Sequence, residues 1–243
     1  MFQISKNIIL SSLLLTSSAF AFGEVSKNEI MQMEKLELLK RAEIKITKAY
    51  DQGSLYLLNI KVRGKADEVY LTKDKKLLIA GDVIDTATGM KVSVPADLSG
   101  VIGKEAFTYG TGTDEYVLFT DPECPYCKKF ESYFPQIADK VKIRVFFYPL
   151  EFHKNAKDLS VYILSKKTNE EKIKAMFEAN VELPDFKNRK ISDKDSAKLE
   201  AQLNEQIKIS QDLNVQGTPT MFDAKGNPVV WVTLLQKYGI ELK

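Results

Sequence analysis

The chain has 243 residues, 44% hydrophobic and 28% charged, with 35 basic against 33 acidic side chains. That balance excludes a disordered chain, which would combine low hydrophobicity with high net charge, and a chain whose main task is gripping nucleic-acid phosphates. With only two cysteines it is not a disulfide-stapled scaffold, so the placement of that one pair, Cys124 and Cys127, becomes the question.

Residues 1–21 read as a secretory signal peptide. Lys6 supplies the positive start, Ile8 to Leu15 the apolar stretch, and Ala19-Phe20-Ala21 the small-residue cleavage pattern. The apolar run is far short of the roughly 20 residues that span a bilayer. The alternatives are an uncleaved anchor or a first helix of the fold. On the signal reading the remainder is exported, into a compartment where disulfides persist.

Residues 22–94 read as a first domain. Ser26 and Glu29 fit a capping box, in which each side chain satisfies a free amide at a helix start. Ile30, Met33, Leu36 and Leu39 follow at helical spacing and predict a helix from about Lys27 to Lys48. Strand-like runs follow at Leu55 to Val62, Glu68 to Thr72 and Leu77 to Asp85. The polar turn Lys73-Asp74-Lys75-Lys76 joins the last two as a hairpin. A region of about 70 residues has little core of its own, which favours dimerisation. Residues 95–112 read as a linker containing a short helix and closed by Gly110 and Gly112.

Residues 113–243 read as a second domain. Tyr116 to Thr120 is a short apolar strand, Phe130, Phe134 and Ile137 continue on a helix, and Val141 to Tyr148 is a second buried strand. Lys154 to Asp212 is helical in character, with Leu199, Leu203, Ile207 and Leu213 near helical spacing. Leu183-Pro184 and Ser192-Asp193 interrupt it. Thr220 to Phe222 and Val229 to Val232 read as strands around a polar turn, before a short terminal helix. The order points to a mixed sheet flanked by helices.

The chemistry lies at Cys124-Pro125-Tyr126-Cys127. A strand ending in Phe119-Thr120-Asp121 runs into C-x-x-C and then a helix, the context in which the motif is redox-active. The nucleophile in disulfide exchange is the thiolate, and free amides at a helix start stabilise it, lowering the pKa to roughly 3.5–7.5. Cys124 is expected to be the exposed attacker and Cys127, one turn in, the buried resolver. Lys128 and Lys129 add positive potential, which Glu123 opposes. A structural zinc site needs four ligands, and the chain holds two Cys and one His. Attachment of a c-type haem needs His at position 128, which is Lys. A purely structural disulfide closing so short a loop would stabilise little. No metal and no cofactor is expected. In Gly217-Thr218-Pro219-Thr220 a proline opens a predicted strand, either as a cis proline in a special turn or as an ordinary trans one at an edge. His153, the only histidine, reads as a surface or loop residue, with a general-base role as the alternative.

The run from Phe119 to Phe130, with Gly217-Thr218-Pro219 further along, resembles the thioredoxin superfamily, and specifically the periplasmic DsbC/DsbG-type disulfide isomerases. Glu68 to Lys76, followed by Gly81 to Asp85, is similar to the small domain through which those proteins dimerise. The resemblance implies an α/β (α+β) fold: a thioredoxin-like domain with a helical insertion, preceded by a small α+β dimerisation domain and a linker. It implies Cys124 and Cys127 as catalytic residues, Pro125 and Tyr126 as the pair that tunes their potential, and Thr218 with a cis Pro219 as binders of substrate backbone. It further implies a periplasmic homodimer acting as an isomerase or reductase. The partners would be exported proteins with non-native disulfides or oxidised cysteines, and a membrane reductant of the DsbD type. A net oxidase, a specialised reductase for cytochrome c maturation or sulfenic acids, and a non-redox chaperone are the alternatives. Pro125-Tyr126 is closer to the DsbG-like pattern than to the DsbC-like one. Two departures are a long first helix and a short terminal one. A third is Leu118, six residues before the first cysteine, where many reducing thioredoxins carry a buried carboxylate. Asp121 and Glu123 are nearer in sequence but expected to be more exposed.

Overall fold

The computed structural model describes residues 23–86, 89 and 91–242, so the expected signal peptide lies outside the described residues. The chain divides into two units between Asp82 and Val83.

The first unit runs β1 (Gly23–Glu24), α1 (Lys27–Met33), α2 (Glu37–Arg41), β2 (Lys45–Asp51), β3 (Leu55–Val62), β4 (Lys65–Thr72) and β5 (Leu78–Ile79). Its strands form an antiparallel sheet in sequence order, with a register shift between Ile46 and Lys48. The single long helix expected to Lys48 is instead two short helices and a strand. Glu43 adopts a left-handed φ of 54°, which ends helical winding. From there Ile46 and Ala49 are buried and Lys45 and Lys48 exposed, so the chain pairs with β3. Ser26 caps α1 by accepting from the Glu29 amide at 3.3 Å. The reciprocal half of the capping box is not made, because the Glu29 carboxylate accepts from the Tyr56 hydroxyl at 2.7 Å. Met33 and Leu39 on the helices pack on Ile46, Tyr56, Leu58, Ile60, Val69 and Leu71. Each such side chain contributes roughly 1.5–3 kcal/mol by leaving water. The expected hairpin is present, but its second strand is only Leu78–Ile79, not Leu77 to Asp85.

The second unit contains β6 (Phe107–Tyr109), β7 (Asp114–Thr120), α3 (Pro125–Glu131), a 3-10 turn at Phe134–Gln136 and β8 (Val141–Phe147). It continues with α4 (Ala156–Leu164), α5 (Asn169–Phe177), α6 (Pro184–Lys187), α7 (Asp193–Asp212), β9 (Thr220–Asp223), β10 (Pro228–Val229) and α8 (Trp231–Lys237). The sheet order is β10-β9-β7-β8-β6, with β7 and β8 parallel and the other pairs antiparallel. Tyr116, Leu118, Ile143, Val145 and Phe147 face one apolar layer, while Val117, Phe119 and Phe146 face another. Cover on both faces is why residues 116–119 of β7 and 145–147 of β8 read as continuous apolar runs in the sequence. The two interruptions expected within residues 154–212 are helix starts: Pro184 opens α6, and Ser192 caps α7 by accepting from Asp195 at 3.2 Å. A complete capping box, at Thr168 and Glu171, opens α5. Among the described residues no helix is long and apolar enough to cross a membrane.

Two expectations change here. Residues 95–112 are built into the second unit rather than linking two domains. The Ala96 amide donates to the Gly226 carbonyl at 2.8 Å, Leu98 and Val101 join the Phe119–Phe146 layer, and Phe107–Tyr109 pairs with β8. Val229 to Val232 is a strand only at Pro228–Val229. Val230 then caps α8, and Trp231 stacks 5.5 Å from Phe130.

Gly112 lets the chain pass close to β8. A Cβ there would lie 1.9 Å from the Lys140 carbonyl carbon. Gly112→Ala is expected to destabilise the unit by about 3 kcal/mol, as overpacking against backbone does. The thermal transition followed by circular dichroism should fall by roughly 6–12 °C; an unchanged midpoint would refute this.

Candidate active site

The register of β7 against β9 assembles the site. Phe119 pairs with Thr220, so the residues just before β9 lie beside those just after β7. This brings Thr218 and Pro219, joined by a cis peptide bond, to the cysteines. Cys124 caps α3 and Pro125 occupies its first turn, where a missing amide hydrogen does no harm. Both cysteines are free thiols.

Cys127 is fully buried, as expected from its place one turn into the helix. Cys124 is less exposed than the sequence suggests, at 4%. The cause is close packing: its sulfur lies 3.4 Å from the Thr218 carbonyl oxygen. The Thr218 hydroxyl is buried with no hydrogen-bond partner among the described residues. The environments split the two thiols. The Cys127 side chain, then the amides of Cys127 and Tyr126 and the neighbouring Thr218, bring Cys124 down to about 5 against the opposing effect of burial. Burial, then the neighbouring Cys124, pushes the Cys127 thiol far up.

Pro125 and Tyr126 face solvent, Tyr126 at 69%. Lys128 does not reach the sulfurs: its Nζ donates to the Ala179 carbonyl at 3.1 Å. The Lys129 Nζ lies over the Tyr133 ring.

Asp121, expected to be exposed, is fully buried. Its carboxylate accepts from the Glu123 amide at 2.7 Å and the Leu150 amide at 2.7 Å, and pairs with His153 Nδ1 at 2.8 Å. His153 is thereby fastened to the cysteine loop instead of standing free. Glu123 accepts from the amide and side chain of Asn155 at the start of α4. Burial raises its pKa, but these hydrogen bonds win and hold it below the usual carboxylate range.

Sequence reasoning missed Glu131. Leu118 is a core residue of β7, but Glu131 sits on α3 with 4% exposure, and Thr120 donates to its Oε1 at 2.6 Å. Burial is the largest influence on it and pushes its pKa up to about 7. The signal was present: Cys127, Phe130, Glu131 and Phe134 share one helical face, so a charged residue lies in an apolar stripe.

The family described as thioredoxin-like domain matches residues 110–234, more than half of the chain. The chain belongs to the thioredoxin-like family. Its thioredoxin-like unit carries α4 to α7 as a helical insertion between β8 and β9. Solved structures similar to it include the thiol-disulfide exchange protein alpha-DsbA2 from Wolbachia pipientis. That likeness has 19% identity over 55% of this chain and 85% of that one, with a TM-score of 0.43. Oxidised BdbD from Bacillus subtilis is 18% identical over 61% and 96%, at 0.44. Helicobacter pylori DsbG is 13% identical over 82% of this chain and 100% of that one, at 0.39. Among curated proteins none matches.

Proposed function

We propose that the chain is a thiol-disulfide oxidoreductase, acting as a disulfide isomerase or reductase on exported proteins. The observation that carries this is the split between the two thiols: one is held near thiolate and the other is buried and protonated. Titratable groups driven apart in this way take different roles in one reaction. Cys124 attacks a substrate disulfide, a mixed disulfide forms, and one substrate sulfur leaves as thiolate. In isomerisation that thiolate attacks another substrate disulfide, and the reshuffled chain finally releases Cys124. In reduction Cys127 attacks Cys124, the second substrate thiolate leaves, and the enzyme pair ends as a disulfide that has given two electrons to the substrate. A two-electron reductant, for which the sequence resemblance suggests a membrane protein of the DsbD type, then restores the dithiol. Export, a periplasmic setting and a homodimer are parts of the same reading and rest on the sequence. The exposed Tyr126 and Phe152, the latter beside His153, give the site apolar surface for a polypeptide. Thr218 and Pro219 are the proposed backbone binders.

The test uses scrambled ribonuclease as the client. Cys127→Ala should accumulate a covalent adduct that dithiothreitol dissolves, while wild type turns over without one and regains ribonuclease activity. Absence of the adduct, or its presence when Cys124 is replaced as well, would overturn the proposal. The depressed Cys124 also favours a second reading, net oxidation, because a stabilised dithiol makes the matching disulfide a better oxidant. A pair found mainly oxidised in cells would select that reading.

A further inference from the structure

Cys124 stands at the start of α3, so its surroundings depend on where the turn before it lies. That turn is built around Asp121. The Asp121 main-chain carbonyl accepts from the Cys124 amide at 3.1 Å, and its carboxylate Oδ1 accepts from the Glu123 amide at 2.7 Å. Pro122 follows, and Asp then Pro are the residues that a tight turn favours at its first two positions. A fully buried carboxylate is costly unless its oxygens are hydrogen-bonded. The partners of Oδ2 come from another part of the chain: the Leu150 amide at 2.7 Å and His153 Nδ1 at 2.8 Å. The His153 amide donates to the Leu150 carbonyl at 2.9 Å, so one turn aims both donors at the same oxygen. On one side of this contact the Tyr148 amide donates to the Thr120 carbonyl at 2.8 Å. On the other, the amide and side chain of Asn155 donate to Glu123 at 2.6 and 2.8 Å. These links all run one way, from donors in residues 148–155 to acceptors in residues 120–123. The cysteine turn is thus stapled to the segment between β8 and α4.

We propose that His153 is a positioning residue for Cys124: by holding Asp121 it fixes the turn that sets the attacking sulfur at the start of α3. The inference rests on the exchange reading given above, in which Cys124 attacks as thiolate. Free amides at a helix start favour an anion only within the first turn, and a hydrogen bond weakens steeply as its angle opens. A slack turn therefore makes a weaker site for the thiolate. Loss of His153 also leaves the buried Asp121 carboxylate one partner short, three residues from Cys124. A like charge nearby disfavours a thiolate. Both effects act in the same direction. His153 does its work through Asp121, and the other titratable groups around Cys124, namely Cys127, Glu123, Lys128 and Glu131, keep their identities in the variants below.

The test follows alkylation of Cys124 by iodoacetamide between pH 4 and pH 9, read by mass spectrometry on the reduced protein, with circular dichroism as the check on folding. Wild type should inflect at about 5. His153→Ala should move the inflection to about 6, the size of change that one lost partner near a charged group produces. His153→Asn puts an amide nitrogen where Nδ1 stands and should return it to about 5. Asp121→Asn separates placement from charge. It sets a donor against the Leu150 amide and His153 while removing a negative charge, so a slackened turn raises the inflection and charge alone would lower it. We expect a rise. A fall in Asp121→Asn overturns the proposal. So does a His153→Ala protein that inflects with wild type, or a His153→Asn protein that inflects with His153→Ala. In each of these cases a wild-type inflection near 5 leaves the exchange reading intact. If Asp121→Asn does not fold, the two variants at His153, whose side chain is 18% exposed, decide the matter. If wild type itself inflects near 9, the thiolate at Cys124 fails, and the positioning role with it.

Discussion

Between pH 6 and pH 5, Cys124 is expected to be alkylated by iodoacetamide about 10- to 100-fold faster than an ordinary thiol, and Cys124→Ala should remove all disulfide exchange. Two opposing effects set that window. A thiol at about 5 is almost wholly thiolate at neutrality, whereas one at 9.0 is about 1% thiolate. Intrinsic nucleophilicity falls as the pKa falls, with a Brønsted slope of about 0.4–0.5. Over this shift the two nearly cancel at pH 7, so the advantage in attack appears only in acid. At neutrality the benefit lies elsewhere. A low-pKa sulfur leaves faster, so substrates escape the mixed disulfide readily. Stabilisation of the thiolate also favours the dithiol, making the pair roughly 30–60 mV more oxidising than an ordinary one, the lower end allowing for screening by water. The largest cause of the depression is the Cys127 side chain, so Cys127→Ala should move the alkylation inflection upward from about 5. An inflection near 9 in wild type would refute the account.

The second large effect concerns stability. Glu131 has its pKa raised from 4.5 to about 7 by burial, so the folded state binds its proton more tightly than the unfolded state does. Its contribution is most favourable below pH 4.5 and is lost as pH rises through 7. The loss across that window is about 3 kcal/mol for a shift of this size. Cys124 works in the opposite sense, since a depressed thiol adds stability as pH rises from 5 towards 9. The informative quantity is therefore the difference between wild type and Glu131→Gln, both reduced, in which the cysteine contribution largely cancels. Urea denaturation at pH 5 and pH 9 should show Glu131→Gln gaining about 3 kcal/mol relative to wild type at the higher pH. A constant difference between the two proteins would show that Glu131 does not change charge in that range.

The features readable in the sequence were those that local chemistry dictates. Leu55 to Val62 is a strand from end to end, as its apolar run with Tyr56, Leu57, Leu58 and Ile60 buried favours. Cys124 stands at the start of a helix after an apolar strand with Cys127 one turn in, and Thr218-Pro219 lies beside them. The features that escaped depend on distant partners. Residues up to Lys48 have helical spacing, yet Glu43 turns the chain and β3 pairs with the residues beyond it. Asp121 looks like a surface loop acid, but Leu150 and His153 enclose it. Glu131 is one turn from a cysteine and still went unread, because its burial depends on the packing around it and on Thr120, which donates to its carboxylate. The span 95–112 has the glycines of a connector, and only the fold shows that Ala96 and Phe107 are held.

The ends of the two sheets bear on what such a protein meets. The outermost strands, β1, β5, β10 and β6, are two or three residues long. Where β2 runs beyond β1 it carries Lys45, Lys48 and the register shift at Ile46/Lys48. Where β4 runs beyond β5 it carries Lys65, Asp67 and Glu68. Long flat edges template cross-chain strand addition, and short, charged or bulged ones resist it. On the proposed function, partly unfolded clients held by a transient covalent bond would bring aggregation-prone segments against the protein's own surface. Blunted margins would then let such chains leave instead of being seeded into a shared sheet.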